Sequence, residues 1–199
     1  DGTYYRKWIN DSDFTGRIHT TFKQIGTVTT RLSGDMQQIP RDSPVKSLLR
    51  ATDGFELWEF DYSQLEYRLI TTYCKQPDLI EAYKNGSDFH TLTSTKLGVE
   101  RHYAKNINFT LAYLGGPGAL LHYINIPFEE AVDIHRNYHK ANYQLVQTAE
   151  RCINKAQRIG YVKLWTGHRC RFTMHYETKK AWNRVIQGGG AQVTCEATI

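Results

Sequence analysis

An α+β fold is what this 199-residue chain predicts, from three observations. Residues 16–31 are rich in Thr, Ile, Val and Phe and alternate well enough for one or two strands. From Ser63 to Ile159 the apolar residues recur at helical spacing between start and stop signals. Tyr161-Val162-Lys163-Leu164-Trp165, then Thr166-Gly167, then Arg169 to Met174 reads as a hairpin. The helical block therefore reads as an insertion between two parts of an antiparallel sheet domain. A hydrophobic content of 40% suffices for one core or two small ones.

The elements follow in order. Residues 34–44 hold Gly34, Asp35, Pro40, Asp42 and Pro44 and read as loop. Leu57-Trp58-Glu59-Phe60-Asp61 alternates as a strand and delivers Asp61 to its end. Ser63-x-x-Glu66 matches a capping box, which predicts a helix from Ser63 through Thr72. Pro77 to Asn85 is a short helix stopped at Asn85-Gly86, and Asp88 caps the next, 89–96. Arg101 to Leu114 is the most clearly amphipathic helix, closed by Gly115-Gly116-Pro117-Gly118. Pro127 starts a helix over 128–141, and Tyr143 to Ile159 forms another with Gly160 as its stop. A last helix runs from about Thr178, broken around Gly188-Gly189-Gly190. There are no internal repeats.

Net charge is +5 and the isoelectric point about 9.0, which favours a polyanionic partner. The thirteen Tyr read first as packing surface. Cys74, Cys152, Cys170 and Cys195 form no C-x-x-C pair, so reduced thiols in a cytoplasmic setting are expected. His135 and His139 have metal-ligand spacing but lack the Glu of H-E-x-x-H, and read as an exposed helix face. No apolar run approaches the ~20 residues of a membrane span, and no signal peptide is evident. The chain starts without Met and ends within a helical pattern, Ala191 to Ile199, so it reads as an internal piece of a longer protein.

Chemistry concentrates in two places. Asp61-Tyr62-Ser63-Gln64-Leu65-Glu66-Tyr67-Arg68 sets a carboxylate at a strand end. Arg101, Lys105, Phe109 and Tyr113 advance about 40° per step on a helix and share one side, while Ala104, Ile107, Leu111 and Leu114 take another. A carboxylate can hold a divalent metal, cations can hold a triphosphate, and aromatics can stack on a base. Taken alone, Asp61 also reads as a turn residue before a helix.

Together these segments resemble the family A DNA polymerases, the bacterial DNA polymerase I type. Asp61 to Arg68 is similar to the family's motif A, and Arg101-x3-Lys105-x3-Phe109-x3-Tyr113 to motif B on its fingers helix. Thr29-Thr30-Arg31-Leu32-Ser33 with Gln37-Gln38-Ile39-Pro40 resembles T-G-R-L-S … Q-N-I-P. Gly167-His168-Arg169 resembles the G-R-R hairpin, and Asn183 to Gly188 the N-x-P-x-Q-G stretch. The resemblance implies a partial palm over 1–72, fingers over 73–178 and a return to the palm over 179–199. It implies template-directed DNA synthesis from dNTPs on primer-template DNA, away from membranes, in a bacterial cytoplasm, phage-encoded or not.

The roles it implies are specific. Asp61 and the Tyr62 carbonyl hold two Mg²⁺ ions, with Mn²⁺ as a substitute. Tyr62, Ser63, Gln64, Glu66, His90, Arg101, Lys105, Phe109 and Tyr113 contact the dNTP. Lys105 is also the general acid to pyrophosphate, and Glu66 excludes a ribose 2′-hydroxyl. Phe109 lies against the sugar, and Tyr113 stacks at the templating position. Arg31, Gln37, Gln38, Lys179, Asn183 and Gln187 contact DNA. Three departures stand out: Leu114 where the family has Gly after Tyr, Thr30 where Gly precedes Arg31, and Gln192 where Asp is usual. The family's second catalytic carboxylate lies beyond Ile199, so this chain alone is expected to be inactive. The alternatives are a decayed, non-catalytic primer-template binding domain and a relative of the single-subunit RNA polymerases. Glu66 argues against the latter.

Overall fold

The computed structural model describes residues 2–24, 26–39, 44 and 46–198, without the side chains of residues 2–5, 35 and 38. Pro40 and Asp42 of the expected loop, Ile199 of the last helix and the side chain of Gln38 lie outside the described residues. The chain divides into two compact units, Asp1–Ser63 and Gln64–Ile199.

The first unit opens with helix α1, Gly2–Asp11, which the sequence reading did not anticipate; it buries Trp8. The strands expected over 16–31 reduce to two isolated antiparallel bridges, Ser12 with Ile18 and Lys23 with Ser33. Asp13 organises the first turn: its Oδ1 accepts the backbone N–H of Thr15 at 2.8 Å and of Arg17 at 3.1 Å. Hydrogen bonds from Thr15 and His19 hold this carboxyl far below the usual carboxylate range. The strand expected at Leu57–Asp61 does not form. A strand persists only when its backbone groups are paired. Among the described residues none pairs with 57–61, and Leu57, Trp58 and Phe60 are exposed.

The second unit contains α2 (Leu65–Tyr73), α3 (Pro77–Lys84), α4 (Phe89–Leu97), α5 (Arg101–Ala112), α6 (Phe128–Ala141), α7 (Tyr143–Ile159) and α8 (Ala181–Ala197). Short 3₁₀ turns cover Pro117–His122 and His175–Lys180. Between α7 and α8 lies the expected hairpin, β1 (Tyr161–Lys163) antiparallel to β2 (Arg169–Arg171), with Val162 opposite Cys170 on the buried face. The division of the chain falls after Ser63, ahead of residue 72, because α2 buries Tyr67, Ile70 and Cys74 in this unit's larger core. There they meet Leu145 and Ala149 of α7, Val162 and Cys170 of the hairpin, and Trp182 and Ile186 of α8. A smaller core joins Ile107 and Leu111 of α5 to Leu120, Ile124 and Ala131. α5 is thus fixed between two cores, and its predicted apolar back is buried as the spacing requires.

Two helix ends differ from expectation. The N-cap of α2 is Gln64, in left-handed backbone (φ 54°) and without a side-chain cap bond, so the Ser63/Glu66 capping box is not what starts this helix. Glu66 is used elsewhere, by Tyr113. The expected break at Gly188–Gly190 is also absent: α8 runs through it. Each helical glycine costs about 1 kcal/mol against Ala. Here they are buried beside α2, where ideal β-carbons on Gly189 and Gly190 would make ordinary contacts at 3.5–3.8 Å with Leu65, Leu69, Trp165 or Tyr73 side chains, and the burial of Trp182, Ile186 and Ala191 in the same helix offsets the cost. Packing outweighs propensity.

Candidate active site

The site in the second unit is built on α5. Arg101 and Lys105 project from its exposed side, one turn apart, and Phe109 and Tyr113 continue the line half-buried. Arg101 is engaged: its Nε and Nη2 lie 2.8 and 2.7 Å from one carboxylate oxygen of Asp88. Asp88 caps α4 as predicted, accepting the N–H groups of His90 and Thr91. Partial burial pushes its pKa up, but the bonds from Arg101 and the two N–H groups prevail and hold the carboxyl below its ordinary value.

His90, expected beside Lys105 as a phosphate donor, is buried instead. Its Nδ1 pairs with Asn108 Nδ2 at 3.1 Å, and Asn108 Nδ2 also reaches Thr93 Oγ1 at 2.9 Å. Its Nε2 has no protein partner. Burial depresses the imidazole pKa, Asp88 opposes, and the nearby Arg101 and Lys105 charges add to the depression, so His90 is neutral at pH 7. The contact of this side chain is with the α4–α5 seam rather than with solvent.

Glu66 and Tyr113, 47 residues apart, meet: Tyr113 Oη donates to Glu66 Oε2 at 2.8 Å. Phe109 stacks beside Tyr113, with centroids 6.1 Å apart and planes 15° apart. Behind them Tyr67 and His90 pack on Phe109 at 6.1 and 5.6 Å. Tyr67 also bonds Tyr138 of α6, hydroxyl to hydroxyl, at 2.6 Å. Burial raises both phenols, Tyr138 well above the ordinary range, so neither ionises near neutrality. Gln64 accepts from Tyr83 at 3.3 Å, and the Arg68 guanidinium lies 4.7 Å over that ring. The result is a rigid aromatic wall behind two surface cations, with one carboxylate fixed at its end.

Lys179, Asn183 and Gln187 recur every four residues along the 3₁₀ turn and α8, Lys179 exposed and the two amides half-buried. The first unit carries the remaining predicted residues. Asp61, Tyr62 and Ser63 are exposed, as is Arg31, and Gln37 Oε1 accepts the backbone N–H of Gly34 at 3.1 Å. No three His, Cys, Asp or Glu side chains among the described residues converge on a metal position. Asp61 and the Tyr62 carbonyl offer hard oxygens of the kind Mg²⁺ takes, one carboxylate sufficing when substrate supplies the rest.

Sequence reasoning missed several residues. Asn108, which the sequence reading did not single out, ties α4 to α5. His135 and His139 are half-buried, not an exposed face: His139 Nε2 donates to the Leu111 carbonyl at 3.3 Å, and the two rings pack together. Trp182 donates to the Ala112 carbonyl at 3.0 Å. Arg184 is buried, bonded to the Arg171 carbonyl at 2.6 Å and lying 4.1 Å over Phe172, which pins the hairpin to α8. All are long-range pairings, which local patterns do not carry.

Comparison with known proteins bears on this arrangement. The family model described as DNA polymerase family A matches residues 2–199. The chain is similar to the thermostable DNA polymerase I of Thermus thermophilus, 33% identical over 90% of this chain and 24% of that one. It is 38% identical to a Helicobacter pylori DNA polymerase I over 69% of this chain and 17% of the relative. A DNA polymerase of Mycobacterium phage L5 is 28% identical over 99% of this chain and 34% of its own length. Among solved structures, the POL domain of Pol1 from M. smegmatis, in complex with DNA primer-template and dNTP, superposes with a TM-score of 0.74. That match has 25% identity and covers 99% of this chain and 41% of that one. The chain thus spans about a quarter of the length of the first of these relatives.

Proposed function

We propose, from the premise that this chain belongs to DNA polymerase family A, that it supplies the dNTP-binding helix and one catalytic carboxylate of a template-directed DNA-synthesising enzyme. The observation that carries the reading is the set on and beside α5: exposed Arg101 and Lys105, then Phe109 and Tyr113, with Glu66 bonded to Tyr113. Surface cations one turn apart suit a triphosphate, and a fixed aromatic face with a carboxylate at its end suits a sugar and base.

Asp61 and the Tyr62 carbonyl would hold Mg²⁺, two ions with substrate oxygens completing each shell. The metal chemistry supplied there is activation of a primer hydroxyl and neutralisation of charge on the leaving pyrophosphate. Lys105 holds the triphosphate and gives a proton to the departing pyrophosphate oxygen. Arg101 shares the phosphate charge once it exchanges Asp88 for substrate. His90 backs Phe109 in the conformation described and becomes a third phosphate donor only if the α4–α5 seam shifts. Tyr62, Ser63 and Gln64 border the nucleotide, and Glu66 denies room to a 2′-hydroxyl. Phe109 faces the sugar, so Phe109→Tyr relaxes exclusion of dideoxynucleotides. Arg31, Gln37, Gln38, Lys179, Asn183 and Gln187 contact primer-template DNA, reading pair shape through minor-groove acceptors. The same reading places the enzyme in a bacterial cytoplasm. No helix among the described residues is long and apolar enough to cross a membrane.

The experiment is primer extension with Mg²⁺ and dNTPs by a protein carrying this chain together with the downstream carboxylate segment. Asp61→Ala or Lys105→Ala should lower kcat by at least about 10²-fold, as loss of a group stabilising transition-state charge does. Extension that survives Asp61→Ala overturns the assignment. DNA binding without any extension by the parent protein would favour the non-catalytic reading. The 199-residue chain alone should extend no primer.

A further inference from the structure

The last turn of α5 is held by unusual means. Leu114, just past the C-cap Tyr113, has φ +61°, a conformation that a β-carbon disfavours. The chain then turns so tightly that a β-carbon on Gly115 would sit 2.8 Å from the Thr110 carbonyl oxygen. Within the turn, Gly115 N–H bonds Thr110 O at 2.7 Å and Leu114 N–H bonds Leu111 O at 3.1 Å, the two bonds of a Schellman closure. Ala112 O receives the Trp182 indole N–H. A further donor comes from α6: His139 Nε2 reaches Leu111 O at 3.3 Å, with the His135 ring beside it. Their rings lie 4.1 Å apart, centroid to centroid. The turn so enclosed carries Tyr113, whose hydroxyl meets Glu66.

We propose that His139, with the His135 ring packed against it, is a positioning residue that clamps the terminal turn of α5 from α6 and thereby holds Tyr113 against Glu66. The importance of that contact to nucleotide selection rests on the function proposed above; the clamp itself does not. Neither histidine touches substrate. His139 contributes an N–H to the Leu111 carbonyl alongside that of Leu114, and a side chain of the same shape without that N–H cannot replace it.

Trp182 is the reporter, since its indole N–H bonds the same turn. Its ¹H–¹⁵N resonance is assigned by its disappearance in Trp182→Phe. In a His139→Phe variant, ring volume stays and the donor goes. Exchange of the Trp182 indole proton should then quicken at least tenfold at a temperature where circular dichroism shows wild type and variant equally folded. His139→Gln, which keeps a donor, should stay within threefold of wild type. Tyr113→Phe should change the unfolding constant by a factor at least threefold smaller in the His139→Phe background than in wild type. Unchanged indole exchange, or strictly additive effects of the Tyr113 and His substitutions, overturns the clamp. If His139→Phe does not fold, His139→Leu decides by the same measurements. None of these readouts needs nucleotide, so a failed clamp leaves the polymerase reading to primer extension, and failed extension leaves the clamp standing.

Discussion

Thr30 and Leu114 both occupy left-handed backbone, at φ 60° and 61°, and both stand where the family pattern has glycine. The strain is about 1–2 kcal/mol for a residue with a β-carbon. Thr30 adds a buried hydroxyl oxygen without a partner among the described residues, worth about 1 kcal/mol or more. Thr30→Gly removes both terms and returns about 0.5–1 kcal/mol as unfolded-chain entropy. It should therefore stabilise by about 1 kcal/mol, seen as a higher urea midpoint at constant m. Leu114 packs against the larger core, so Leu114→Gly forfeits about 1 kcal/mol of burial and should leave the midpoint nearly unchanged. Equal gains from the two substitutions would show that packing at Leu114 counts for nothing. At the proposed gate, Glu66→Ala vacates the space beside Tyr113, and ribonucleotide incorporation relative to deoxynucleotide should rise on the order of tenfold or more. A ratio that does not move would remove Glu66 from sugar selection.

Among the elements, α5 and α8 show opposite relations between pattern and outcome. In α5 the spacing of Ala104, Ile107 and Leu111 was enough to identify the buried side, and the Asp88 cap was enough to start α4. In α8 the local signal misled: three consecutive glycines read as a stop, yet the helix continues because burial of Trp182, Val185, Ile186 and Ala191 on either side of them offsets their propensity cost. A β-carbon at Gly189 meets only ordinary contacts, Leu69 Cδ1 at 3.6 Å and Trp165 Cδ1 at 3.7 Å. Gly189→Ala should accordingly stabilise by about 0.5–1 kcal/mol through helix propensity, whereas Gly189→Leu should destabilise by about 1–3 kcal/mol through overpacking. Thermal denaturation of the pair checks this; destabilisation by Ala would mean that the close approach of α2 and α8 tolerates no added carbon. The strand expected at Leu57–Asp61 failed for the converse reason, since its alternation was present and its pairing segment was not.

For the whole molecule, the free cysteines link stability to alkaline pH. Burial pushes the thiols of Cys74 and Cys152 up to about 11 from 9.0. Because the folded values lie above the unfolded ones, their contribution is fully present below pH 9 and is lost as pH rises toward 11. Unfolding free energy should therefore fall across that window, and the fall should shrink in Cys74→Ala/Cys152→Ala. A thiol displaced this far exposes about a hundredfold less thiolate at pH 8. Alkylation of the native chain at these two positions should be slower than in urea by about that factor, measured by mass spectrometry of trapped peptides. Rapid native labelling would show that the core of the second unit opens readily. The absence of a disulfide among these cysteines agrees with the scattered spacing in the sequence.

Local order was legible in the sequence wherever a single segment supplies its own cause. The helix spans from Pro77 to Ile159, the hairpin at Gly167 and the amphipathic division of α5 follow from propensity, caps and period. So does family membership, because collinear motifs are themselves a sequence property. The tertiary structure alone decided that His90 turns inward to Asn108, that Glu66 serves Tyr113 rather than a capping box, and that His139 and Trp182 close the end of α5. Each of these joins donors and acceptors that lie far apart along the chain. Such bonds form only once hydrophobic burial has brought their elements together, so no short window of sequence contains both halves.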